Sequence, residues 1–220
     1  MNSVRACYLS RDPVTMSHAI RDANHLNAVG WTINKVSPPN SVMMSWKVGT
    51  ATFDARLFWI THGDFQSAHF ALEVSDESFL PRGRTSFRSR DNQSLFEAYV
   101  QSQRVLVAHS KPLIGIIDYE TDWIFDGYGG SDNPFFGWGM FFSQSLMAAK
   151  PQTDWAALQM ACGNYVEDED GLLVFIDPMD PYGVFTQKQN EVRTILSSLG
   201  PQEHIVDREL WLRLTQQRRA

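Results

Sequence analysis

The chain has 220 residues, 43% hydrophobic and 20% charged, which is enough apolar surface for a packed interior and excludes general disorder. Its formal net charge of −6 argues against a nucleic-acid partner, since phosphate binding needs a clustered positive field, and favours a basic partner. No apolar run approaches the roughly 20 residues of a membrane span, and residues 1–8 lack the apolar centre of a signal peptide, so the expected address is the cytoplasm.

Asp12 and Pro13 form a helix start, because the carboxylate accepts orphan backbone N–H groups and proline needs no donor in a first turn; a helix to Leu26 is predicted. Residues 41–48, 52–60 and 67–74 are rich in β-branched and aromatic side chains and are separated by turn signals at 49–50 and 61–64, which predicts an antiparallel meander. Alternation in the middle run sets Phe53, Ala55, Leu57 and Trp59 on one face and Asp54, Arg56 and Phe58 on the other. Arg82, Arg84, Arg88 and Arg90, spaced by Gly and Ser, read as a solvated loop between the front of the chain, 1–80, and the back, 92–220. A single domain over 1–220 is the expectation.

Ser94 caps a predicted helix to His109, and Pro112 stops it. Residues 113–119 form a short buried strand, and 137–147 a second strand of high aromatic density. Asp154 opens a helix that Gly163 closes, residues 171–176 are a strand, and helices over 186–199 and 207–217 are broken at Gly200 and Pro201. Strands and helices that do not alternate strictly argue for an α+β fold, an antiparallel sheet with helices packed mainly on one face.

Asp118, Glu120 and Asp122 follow the apolar strand at i, i+2, i+4, so on a continuing strand they share one face. They fit a solvated strand end, an acidic patch that meets a basic partner, or oxygen ligands for Mg²⁺ or Mn²⁺ with His62 and Asp64 as further ligands or base. The run from Thr61 to Asp64 is also an ordinary hairpin turn. Residues 128–138 combine glycines with Tyr128, Asp132, Phe135 and Trp138, the mixture of aromatic anchors and adaptable polar groups found at protein interfaces; packing into the core is the other use of such rings. Glu167, Asp168, Glu169 and Asp170 crowd a turn, a solvated tip or a second docking patch for a basic protein. Cys7 and Cys162 lie far apart with no CxxC, which indicates buried thiols and neither a disulfide framework nor a thiolate zinc site. No GxSxG, HExxH or P-loop pattern occurs, and no cofactor is implied.

From Ser94 onward, a helix, Pro112, the strand ending Ile114 to Glu120, the aromatic run Phe135 to Phe142 and an acidic turn before Gly171 to Pro178 resemble the α+β immunity proteins of bacterial polymorphic and type VI toxin systems. The resemblance covers roughly residues 94–220 and implies a class of function. That class is a protein that binds and occludes a partner, with toxin neutralisation as its concrete form. Two other readings stand beside it, a metal-dependent hydrolase built on the Asp/Glu/His set and a structural subunit of a larger assembly.

Overall fold

The computed structural model describes residues 3–9, 16–37, 41–48, 51–62, 65–75, 90–119, 136–176 and 187–200. Its strands are β1 (Ser3–Leu9), β2 (Trp31–Ser37), β3 (Ser41–Val48), β4 (Ala51–His62), β5 (Phe65–Ser75), β6 (Ile114–Tyr119), β7 (Gly139–Ser143), β8 (Gly163–Glu167) and β9 (Gly171–Ile176). The helices are α1 (Met16–Leu26), α2 (Arg90–Ser110), α3 (Gln144–Ala149), α4 (Trp155–Cys162) and α5 (Gln187–Leu196). All nine strands join one antiparallel sheet in the order β2-β3-β4-β5-β1-β6-β7-β9-β8. The fold is α+β.

The predicted meander is present as β3, β4 and β5, and β2 extends it by one strand. β1 lies between β5 and β6, so the front and back of the chain share one sheet. Its sequence alternates, with Val4, Ala6 and Tyr8 on one face and Cys7 and Leu9 on the other, each group buried in a different core. That period of two is the sequence signal for this strand.

The same alternation sorts β6, β7 and β9 between two cores. Ile117, Phe141, Leu173 and Phe175 pack with Tyr99 and Leu106 of α2 and Leu26 of α1. Ile116, Phe142, Val174 and Ile176 pack with Leu146 of α3, Leu158 of α4 and Val192 and Leu196 of α5. Strands buried on both faces read as unbroken apolar runs, as in Gly171–Ile176. Helices therefore cover both faces of this half, where one-sided covering was expected. Along β4, Ala55 and Leu57 are buried beneath the helices, whereas on the other face Asp54 and Arg56 are exposed and Phe58 is buried in the second core.

Between α2 and the sheet lies a short polar seam. Tyr8 Oη donates to Gln103 Oε1 at 2.6 Å, and Trp31 Nε1 donates to Ser102 Oγ at 2.8 Å, itself bonded to the Ala98 carbonyl one turn earlier. Both rings are almost wholly buried, so each needs a partner for its polar atom. These bonds fix how α2 sits over β1 and β2.

Residues 137–147, predicted as a strand, change form at Ser143. Its side chain accepts from Leu146 N at 3.2 Å, so the chain turns into α3 directly after β7. Asp154 caps α4 as predicted, accepting from Ala157 N at 2.9 Å, and Gly163 ends it at φ 75.

Candidate binding cleft

The turn joining β8 to β9 carries four carboxylates and is held at several points. Asp168 N donates to Gly171 O at 3.0 Å, and Asp170 N donates to the Asp168 carboxylate at 3.0 Å. Gly171 adopts φ 151, and a Cβ there would stand 2.2 Å from the Phe142 carbonyl oxygen, so only glycine fits. Gln144 donates twice, from its backbone N to Asp170 O and from its amide to Asp168 O. Arg104 of α2 reaches the Asp168 carboxylate at 3.5 Å, and Lys111 pairs with Asp170.

The tip is thus docked, where a free solvated loop was one expectation. Among the described residues, Arg104 and Lys111 are the cations paired with the carboxylates of this turn. Glu167 accepts from the Gln159 amide at 2.6 Å, and Glu169 is exposed. Holding the carboxylates in place before any partner arrives reduces the entropy lost on binding.

Beside the turn opens a cleft of about 360 Å³ lined by Val107, Leu113, Phe141, Ser143, Glu169 and Asp170, with Lys111 and Gln144 at its rim. Lys111 adopts φ 47, a left-handed conformation that costs a non-glycine residue about 1–2 kcal/mol. Its N–H closes α2 by donating to Val107 O at 2.9 Å, and Leu113 N donates to Leu9 O at 2.7 Å. A left-handed residue whose N–H returns to the carbonyl four residues earlier is a common close of a helix. The mouth presents exposed Glu169 beside the Lys111–Asp170 pair, Ser143 and Gln144, above the nearly buried Val107, Leu113 and Phe141.

The register shows which predicted site residues meet. In the backbone register Asp118 lies opposite Arg5, Arg5 opposite Glu73, and Glu73 opposite Arg56, one row across the sheet. The acidic turn sits at the other end of β6, because Gly171 pairs with Ser143 and Ser143 N donates to Leu113 O. Asp118 is then roughly 17 Å along the strand from that level. The two acidic segments do not merge at Asp118.

His62 pairs with Phe65 across the β4–β5 hairpin, the turn reading of that segment. It lies six residues beyond Arg56, the β4 member of the row that holds Asp118, and so roughly 20 Å from that row along the strand. The register thus sets the backbone positions of Asp118 and His62 at different levels of the sheet. No group of three metal-binding side chains occurs among the described residues. Glu120, Asp122, Asp64, Tyr128, Asp132 and Phe135 lie outside them.

Trp138, expected as a partner anchor, is 5% exposed. Its ring centroid is 5.2 Å from that of Phe175 and 6.0 Å from that of Phe96, so the indole fills the core beneath α2. Cys7 and Cys162 are buried thiols, as expected, and burial pushes the Cys162 thiol up to about 12. Among the described residues no helix is long and apolar enough to cross a membrane.

No family model matches the chain, and no curated protein matches it. Among solved structures it is similar to the Pseudomonas aeruginosa T6SS protein PA0821, with 9% identity and a TM-score of 0.49 over 91% of this chain and 74% of that one.

Proposed function

We propose that this chain is a protein-binding protein that acts by occluding a basic partner, with neutralisation of a toxin as its concrete form. The observation that carries the reading is the pre-organised acidic turn beside the cleft, where Glu169 is exposed next to the Lys111–Asp170 pair. Such a site offers a cationic side chain an exposed carboxylate on an ordered turn. The resemblance of residues 94–220 to immunity proteins supports the toxin-neutralising form. Asp118, Glu120 and Asp122 are a separate acidic segment, and in this proposal they contribute to the long-range field more than to the cleft.

The test is capture of the partner from native cell extract, followed by calorimetry on the purified pair with wild-type protein and the Glu169→Lys variant. The expected result is a loss of affinity of about tenfold, with slower association that is most marked at low salt. Equal affinity and equal salt dependence would remove the cleft from the interface. Charge reversal at Asp118, Glu120 and Asp122 together tests the second segment by the same readout.

A further inference from the structure

The two outer strands of the sheet, as described, differ in how they are protected. β2 carries an irregularity between Ile33 and Lys35, where the register with β3 shifts, and places Lys35 on the exposed strand. A bulge and a lysine are the usual guards of a sheet edge against pairing with another chain. β8 has neither. Its five residues, Gly-Asn-Tyr-Val-Glu, pair with β9 without a register shift, and they contain no proline and no lysine.

The direction of its free hydrogen-bonding groups follows from the turn. Asp168 N donates to Gly171 O, so the bonded pairs of this antiparallel ladder recur at Val166 and Asn164. The N–H and C=O groups of Tyr165 and Glu167 and the C=O of Gly163 therefore point off the sheet, while Gly163 N–H turns back to cap α4 by donating to Gln159 O. Side chains of Tyr165 and Glu167 stand on the face of α4 and α5, since their β9 partners Val174 and Leu172 belong to that core. Tyr165 is 53% exposed and Met160, on the helix that runs directly into β8, is 82% exposed. These are the two most exposed large apolar side chains among the described residues.

Charge along this edge is self-complementary. Glu167 lies at one end of β8, and at the other end Lys188 Nζ stands 3.8 Å from where a Cβ on Gly163 would be. If two copies pair antiparallel through β8 with Tyr165 opposite Tyr165, each Glu167 falls opposite Gly163 of the other copy, beneath that copy's Lys188. The same register sets Tyr165 N–H and C=O against those of Tyr165 in the other copy, and each Glu167 N–H against a Gly163 C=O. We infer that β8 is a self-association edge, through which a second copy of this chain extends the sheet with Tyr165 on the two-fold axis and Glu167 paired to Lys188 across it.

Sedimentation velocity and light scattering on the full chain across the micromolar range test this inference. The expected result is a monomer–dimer equilibrium that Tyr165→Lys shifts to monomer. Glu167→Lys alone and Lys188→Glu alone each weaken the dimer by about tenfold, because two-fold symmetry counts the altered pair twice. The double variant Glu167→Lys with Lys188→Glu restores it. Far-UV circular dichroism and urea unfolding confirm that each variant is folded, and the rescue by the double swap separates an edge contact from a folding defect. A wild-type chain that stays monomeric throughout overturns the inference. So does a dimer that Tyr165→Lys leaves intact, or a double swap that fails to recover what the single changes lose.

Discussion

The imidazoles of His25 and His109 stack face to face, with centroids 3.4 Å apart and planes 7° from parallel, and join the C-terminal turns of α1 and α2. Desolvation and the neighbouring His25 hold the His109 pKa below its ordinary 6.5, and Arg21 and Lys111 act in the same direction, while Asp22 opposes them. Positive charge beside His109 disfavours its protonated form. The folded chain therefore binds the His109 proton less readily than the unfolded chain. Its contribution to stability is complete above pH 6.5 and is lost as pH falls from there through the lower folded value. Thermal unfolding from about pH 7.5 to about pH 5.5 is expected to show a larger fall in Tm for wild type than for His109→Gln, which cannot titrate. Parallel falls would show that other groups govern the acid limb.

The bond from Tyr8 to Gln103 spans the interface of β1 and α2 and is buried throughout. Tyr8→Phe leaves the Gln103 oxygen without its donor and is expected to cost about 1–3 kcal/mol in urea unfolding. Pairing Tyr8→Phe with Gln103→Leu, which removes both polar partners, should recover part of the loss. A fully additive double variant would mean that the two side chains act independently.

Gly115 lies opposite Tyr8 in the ladder, and a Cβ there would come within 2.3 Å of the Tyr8 ring. The ring lies over the backbone of β6, so the absence of a side chain at 115 is what lets Tyr8 reach Gln103. Gly115→Ala is expected to destabilise by about 1–3 kcal/mol through overpacking, read from the shift of the urea midpoint. A change near zero would show that the ring moves aside without cost.

Trp138 separates packing from binding. Trp138→Ala is expected to lower stability by about 3–5 kcal/mol, the range for an aromatic removed from a core. Trp138→Phe should be far milder, and its affinity for a captured partner should match wild type. Loss of partner affinity in a folded Trp138→Phe variant would return this residue to the interface.

Cys162 gives a measure of opening. With its thiol pushed up to about 12 and its side chain buried, it carries almost no thiolate at neutral pH. Labelling by a thiol reagent is expected to track unfolding and to rise sharply near the urea midpoint. Rapid labelling of the native protein would show local opening where α4 meets β8.

The elements that sequence alone determined are those whose signals are local. Asp154 and Gly163 bound α4 because a cap and a left-handed glycine act within a turn, and the meander from Ser41 to Ser75 follows from alternation between turn residues. The α+β class, the buried thiols and the strand at Gly171–Ile176 follow in the same way. Tertiary structure decided what depends on partners distant along the chain. β1 pairs with β5 and β6, far along the chain, so its central place in the sheet cannot be read from its seven residues. Trp138 is core because Phe96 and Phe175 converge on it from two other elements. Asp118 and the acidic turn are separated because strand register, a product of long-range hydrogen bonding, assigns them to opposite ends of β6. Composition shows that charges are present; only the pairing of strands sets the distances over which those charges can act together.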